Sequence, residues 1–280
     1  MRIALVVGMA LSASCAAEAQ GLAGDPAETL RRAGEYVEQY YSRAQRIVGV
    51  ETITVEPVSR DLSRIGFGTR YVYDLRLEWT ASAGAGKPEA TIVRELRTVN
   101  GRPPKPGQEI HCLAPKETAP EPLTMFLPER QRELMFMPAR AGRIGRRPAV
   151  MLDYRERANG PDIVTWDRDC FGLELPGRTR GRAWVDPSTG AVLRIDEHMN
   201  GPFEVRVPDA QLTPGVSPMF VFERSAVSIT YRPVTFHDPD ETILLPASIE
   251  SLAMTRAGGT RRKQVYSGYR RYVTEGRVLP

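Results

Sequence analysis

Arg70-Tyr71-Val72-Tyr73-Asp74-Leu75-Arg76-Leu77-Glu78-Trp79 alternates apolar and polar side chains almost without exception. Tyr71, Tyr73, Leu75, Leu77 and Trp79 fall on one side of an extended chain, with Arg70, Asp74, Arg76 and Glu78 on the other. Successive side chains of a strand point to opposite faces, so a period of two marks a strand with one face in water and the other against apolar matter. Two readings of that aromatic–aliphatic face stand side by side: packed core beneath a helix, or the wall of a cavity for an apolar ligand.

Downstream, the Gly-rich stretch 81–88 turns the chain back into a second strand at 90–99, which Asn100-Gly101 stops before a Pro-rich loop through Pro106. Residues 120–127 read as one or two helical turns, and strands are expected at 132–138, 147–157 and 162–168. A hairpin follows, 181–186 and 191–197 around Pro187-Ser188-Thr189-Gly190. Further strands are expected at 203–207, 219–231, 243–254 and 261–273, the last two joined across Gly258-Gly259. Upstream, Asp25-Pro26-Ala27-Glu28 has the form of a helix start, with a cap, a proline where no N–H is needed and an acid three residues on. Leu30, Ala33, Val37, Tyr40, Tyr41, Ala44, Ile47 and Val48 continue it as one apolar stripe, and Gly49 ends it. The expectation is a single α+β domain of about ten antiparallel strands, one long N-terminal helix and one short middle helix.

Residues 1–19 read as a secretory signal: Arg2, an uncharged run from Ile3 to Leu11, then Ala17-Glu18-Ala19 before the cut. That leaves 20–280 as the folded domain, without a stretch apolar and long enough to span a bilayer as a helix. Cys15, after Ser12-Ala13-Ser14, offers a rival reading as a lipidated N-terminal cysteine. Ordinary cleavage places the protein in the periplasm or outside the cell and leaves Cys112 and Cys170, which the oxidising compartment favours as a disulfide over two buried thiols. The formal net charge of +4 comes from 38 basic and 34 acidic residues, with Lys only at 87, 105, 116 and 263. So mild an excess on an exported chain does not point to nucleic acid, though peripheral association with an anionic envelope surface fits it.

Gly181-Arg182-Ala183-Trp184-Val185-Asp186-Pro187-Ser188-Thr189-Gly190-Ala191-Val192-Leu193-Arg194-Ile195 resembles the hairpin phrase of LolA/LolB-like proteins. Leu244-Leu245-Pro246-Ala247 and Tyr266-Ser267-Gly268-Tyr269-Arg270-Arg271-Tyr272 fit the closing segment of the same family, as does the element order. The resemblance implies an antiparallel half-open barrel whose helices occupy a hydrophobic concavity, and a lipid or acyl chain as ligand. It does not supply the carrier's latch arginine, which matches no position here.

Catalytic patterns are missing from the sequence. His111, His198 and His237 form no His-Glu-x-x-His arrangement, and no Gly-x-Ser-x-Gly elbow exists. Gly84-Ala85-Gly86-Lys87-Pro88 lacks the spacing of a phosphate loop and reads as a turn. His237-Asp238-Pro239-Asp240-Glu241 suits a turn better than a calcium loop, and Asp167 and Asp169 suit a solvated strand end. No cofactor or metal is expected. The basic runs 140–147, 178–182 and 261–263 read as charged strand edges or as an anionic contact surface. The expected function is a non-enzymatic carrier whose cavity is lined by Tyr71, Tyr73, Leu75, Leu77 and Trp79. A structural or interaction module of the envelope with a filled core is the alternative, and a hydrolase with a dispersed site the more remote one.

Overall fold

The computed structural model describes residues 25–44, 46–80, 89–106, 108, 121–158, 160–167, 170–212, 217–237 and 240–271. Helix α1 (Pro26–Arg43) starts where its cap predicts: the Asp25 carboxylate accepts from the Ala27 N–H at 3.0 Å, with Pro26 in the first turn. On its outer side Arg31 reaches Glu28 and Glu35, and Arg32 reaches Glu28. Its inner side buries Ala33, Gly34, Val37, Tyr40 and Tyr41.

The helix ends earlier than its apolar stripe suggests. The Ala44 N–H closes the last turn on the Tyr40 carbonyl, and Arg46 takes a φ of 57°. Ile47 and Val48 open strand β1 (Ile47–Val58) instead of extending α1. Ile47 falls on the helical stripe by coincidence of period, whereas Val48, Val50, Thr52 and Thr54 are β-branched and alternate with buried Ile47, Glu51 and Ile53.

Thirteen further strands follow among the described residues: β2 (Thr69–Thr80), β3 (Glu89–Val99), β4 (Leu134–Phe136), β5 (Arg140–Ile144), β6 (Arg147–Glu156), β7 (Ile163–Asp167), β8 (Cys170–Glu174), β9 (Thr179–Val185), β10 (Val192–Met199), β11 (Phe203–Arg206), β12 (Met219–His237), β13 (Asp240–Thr255) and β14 (Gly258–Arg271). Twelve form one antiparallel sheet ordered β3-β2-β1-β14-β13-β12-β10-β9-β6-β4, with β11 on β12 and β5 on β6, while β7 and β8 pair separately. The path does not close, so the sheet is open, as the half-open barrel requires. The final turn falls at Arg256-Ala257 rather than at the two glycines, which begin β14. The short middle helix is a 3-10 segment (Glu121–Phe126) followed by a four-residue α2 (Pro128–Gln131).

One core runs from α1 to β14. Val37, Tyr40 and Ala44 meet Leu123 and Phe126 of the 3-10 segment and Leu152, Ala183, Val185, Ile195, Ile229 and Leu245 of the sheet. The hairpin between β9 and β10 holds one end of α1. Asp186 accepts from the Ser188 and Thr189 amides and the Ser188 hydroxyl, and a Cβ on Gly190 (φ 73°) would stand 2.4 Å from the Arg32 carbonyl oxygen. Burial pushes the Asp186 carboxyl up, but Ser188, Arg147 and Thr189 together outweigh it and hold it at about 2. At the helix's other end Glu241 is bonded by both Arg43 and Arg271, and Arg271 also lies 4.7 Å from the Phe236 ring centre. Helix α1 is thus pinned near the turn at 186–191 and near the adjoining ends of β12 and β13, across one end of the strands only.

Candidate functional site

Following the strands away from that end takes the inner face out from beneath α1. On β10, Val192 and Ile195 lie in the core, then Glu197 and Met199 emerge on the same side. On β12 the order is Ile229 in the core, then Val227, Ser225 and Phe222, and on β13 Ile249 then Ala253. On β6 it is Leu152, Tyr154 and then Glu156, and on β9 Ala183, Gly181 and Thr179. Two contiguous cavities occupy this uncovered end, sharing Glu156, Thr179 and Glu197. The larger, about 470 Å³, is bounded by Leu175, Pro176, Met199, Phe222, Val227 and Ala253 with Arg178 at its side. The smaller, about 210 Å³, runs up to Met125 and Leu134 beneath the 3-10 segment.

A polar bar crosses the trough between them. Tyr154, Gly181 and Glu197 are cross-strand neighbours on β6, β9 and β10. The Tyr154 hydroxyl reaches over Gly181 and donates to Glu197 Oε1 at 2.7 Å. A Cβ on residue 181 would stand 2.6 Å from the Tyr154 ring and 2.4 Å from the Asp196 carbonyl oxygen, so only glycine leaves the tyrosine this path. Burial raises the Glu197 carboxyl above its ordinary range; the Tyr154 bond lowers it and the Glu156 charge raises it further. Burial also lifts the Tyr154 phenol well above its usual value, with Glu197 adding to the effect. The larger cavity therefore offers mostly apolar walls, with the Tyr154 and Thr179 hydroxyls and the Glu197 carboxyl, whose ionisation burial opposes, at the side it shares with the smaller one: a surface suited to an amphiphile.

The five residues expected to line a cavity are divided. Leu75 and Leu77 are buried in the core with α1, as the packed-core reading has it. Tyr71 and Tyr73 are half-buried toward the uncovered end of β2, and Trp79 belongs to β2 with its side chain outside the described set. Tyr71, Tyr73, Leu75 and Leu77 border neither of the two cavities above. Their neighbourhood is also less greasy than the alternation suggests. Glu51, fully buried on β1, accepts from Arg94 Nε at 2.5 Å and from the Gln264 amide at 2.9 Å. Taking both charges out of water offsets much of their attraction, so the pair adds little net stability.

Cys170 starts β8, while Cys112 lies outside the described residues, as do Cys15, residues 1–19 and the turn at 84–88. His111, Asp169 and Asp238 lie outside them too. His237 sits 3.3 Å from Asp240 in the open, and Glu241 is engaged by arginines. Among the described residues no group of three or more His, Cys, Asp and Glu is placed to hold a metal ion, and no helix is long and apolar enough to cross a membrane. The trough residues had a legible signal: Leu193, Ile195, Glu197 and Met199 share one face, putting a carboxylate where an apolar residue belongs.

No protein-family model matches the chain, and no curated protein matches it. Solved structures similar in fold include a LolA superfamily protein from Nitrosomonas europaea, at 11% identity and a TM-score of 0.33 over 92% of this chain and 96% of that one. A domain named for outer membrane lipoprotein sorting, from Vibrio parahaemolyticus, is 8% identical with a TM-score of 0.33, covering 86% of this chain and 93% of its own. MucB in complex with MucA(peri) is 13% identical with a TM-score of 0.23, over 89% of this chain and 100% of that one. The likeness is one of fold alone.

Proposed function

We propose that this protein is an exported, non-enzymatic carrier that holds the apolar part of a lipid or acyl-chain ligand in the trough at the uncovered end of its sheet. The observation that carries the reading is the cavity of about 470 Å³ walled by Leu175, Met199, Phe222, Val227 and Ala253, on the inner face that α1 leaves bare. A concave, mostly apolar site with a few convergent polar groups is the usual form of a small-ligand pocket, and its volume lies in the usual range of about 300–1,000 Å³. Glu197, Tyr154 and Thr179 mark the polar side of the trough, where a hydrogen-bonding headgroup fits better than a second anion. In the same reading the chain is folded outside the cytoplasm with Cys112 paired to Cys170. Titration that finds two free thiols in the unreduced, unfolded protein refutes the pairing.

The test of the carrier is saturable binding of an environment-sensitive fluorescent acyl probe with an uncharged headgroup. Wild type is expected to bind, and Val227→Trp, which puts bulk into the cavity, is expected to fold and lose the probe. Absence of saturable binding by wild type, or full binding by a folded Val227→Trp protein, overturns the proposal.

A further inference from the structure

The outer face of the same strands is ordered in rows. One row is charge-compensated: Asp153, Arg182, Asp196, Ser228, Glu250 and Lys263 stand opposite one another from β6 to β14. The next row is not. Arg155 faces Arg180, Arg180 faces His198, then come Ala226, Leu252 and Arg261, and the one acid in the row is Glu56 on β1, which faces Arg261 and is already paired with Arg64. Like charges directly opposed across strands destabilise a sheet, so the Arg155–Arg180–His198 stretch of this row favours an anion from outside.

Arg180, Arg224 and Arg261 line one cleft of about 630 Å³. The acids bordering it on the outer side are already engaged: Asp196 with Arg194 and Ser228, Glu223 with Arg60, Glu250 with Lys263. Arg180 and Arg224 have no carboxylate partner among the described residues and are exposed. Both lower the pKa of His198, though burial lowers it most.

An apolar feature adjoins this cationic edge. The loop 59–68 between β1 and β2 is tied down by the Arg64–Val58 bridge, the Ile65 N–H on the Pro57 carbonyl and the Ser59–Ser63 pairing. Arg64 pairs with Glu56, Arg60 with Glu223, and Arg261 donates to the Leu62 carbonyl, which ties the loop to the outer side beside the row. Yet this ordered loop holds Phe67 95% exposed and Ile65 51% exposed. Its one acid, Asp61, is bonded by Ser59 and Ser63, which lower its pKa.

We propose that the outer face docks on a bilayer carrying anionic phospholipid headgroups, Arg180, Arg224 and Arg261 meeting the phosphates and Phe67 with Ile65 entering the headgroup–acyl boundary. A partner protein would need a shaped apolar socket for Phe67, whereas a membrane interface accepts a lone aromatic flanked by arginines and selects for the uncompensated charge beside it.

Vesicle flotation tests this with phosphatidylcholine alone and with about 30% phosphatidylglycerol, enough to set up an attractive surface potential. Wild type is expected to float with the anionic vesicles only, in a salt-sensitive manner. Arg180→Glu with Arg224→Glu should weaken partitioning by about tenfold or more, since basic groups near the surface act cumulatively. Phe67→Ser should weaken it severalfold, and Val227→Trp, which fills the inner trough, should leave it unchanged. Melting curves establish that each variant folds. The proposal is overturned if wild type ignores anionic vesicles, or if the charge and Phe67 variants float like wild type. Loss in Val227→Trp overturns it as well, since lipid capture by the trough would then explain the flotation. So does sedimentation revealing a dimer that Phe67→Ser dissociates.

Discussion

The two ends of the same strands do different work. Toward the turn at 186–191 and the adjoining ends of β12 and β13 the inner face is closed by α1, and every level of the sheet contributes to one core: Leu152, Ala183, Ile195, Ile229 and Leu245 with Val37 and Tyr40. Toward Thr179, Met199 and Ala253 the same strands run on with nothing of α1 above them, and the inner side chains change from Ile and Val to Glu197, Thr179, Ser225 and Met199. The difference teaches that the cavity is made by the length of the helix relative to the sheet. At 18 residues α1 spans about 27 Å, and the hairpin at Gly190 and the Arg43–Glu241–Arg271 cluster fix where that length is spent. One end is closed by the helix, and the other keeps its inner face uncovered.

Substitutions that ignore this division would break it, and the largest effect belongs to the covered end. Val37→Asp puts an unpaired charge in the core and is expected to cost about 3–5 kcal/mol by thermal or denaturant unfolding, with Glu38→Lys on the exposed side near zero. A tolerated Val37→Asp would mean that α1 does not pack on the sheet. Next, Leu75→Trp and Val227→Trp compare the two ends with one change of size. Overpacking at Leu75 should cost about 1–3 kcal/mol, while Val227→Trp should fold near wild-type stability because its neighbourhood has room. Equal losses at both positions would remove the distinction.

Gly181→Ala tests the polar bar. The added methyl meets the Asp196 carbonyl oxygen and the Tyr154 ring, so a loss of about 1–3 kcal/mol is expected. Pairing it with Tyr154→Phe should recover little, because the clashes with the backbone oxygen and the ring remain; full recovery would show that the hydroxyl alone fills the space. The smallest effect has a sign set by pH. Glu197 has its folded pKa raised above the ordinary 4.5, so its ionised form costs stability, and that cost grows as pH rises from there through the folded value. Glu197→Gln should therefore melt above wild type at pH 7, with the gap closing as pH falls below 4.5. A gap that persists in acid would mean the carboxylate's charge is not the cause.

How much of this was legible depended on whether local period and tertiary cover agreed. Strand β2, the 181–197 hairpin and the start of α1 follow from alternation, the Asp186 turn and the Asp25 cap, all local. The end of α1 did not follow, because Ile47 satisfies both a helical stripe and a strand, and the left-handed Arg46 that separates them has no sequence mark. Of β1 the helical stripe takes in only Ile47 and Val48, and Arg140-Ala141-Gly142-Arg143 reads as a basic turn until β6 is there to pair with it. The most regular amphipathic strand, β2, puts Leu75 and Leu77 in the core, away from the two cavities at the uncovered end. Regular alternation marks where a sheet packs best, whereas the cavities lie where the pattern breaks, as at Glu197 and Gly181, and only the position of α1 shows which breaks are uncovered.

The most direct measurement of the central claim is photo-crosslinking of the purified protein with an acyl probe bearing a diazirine near its methyl end, followed by peptide mapping. Labels on the segments containing Met199, Phe222, Val227 and Ala253, abolished by Val227→Trp, are the predicted result. Labels concentrated on 69–80, around Leu75 and Leu77, would place the ligand beneath α1 and contradict the account.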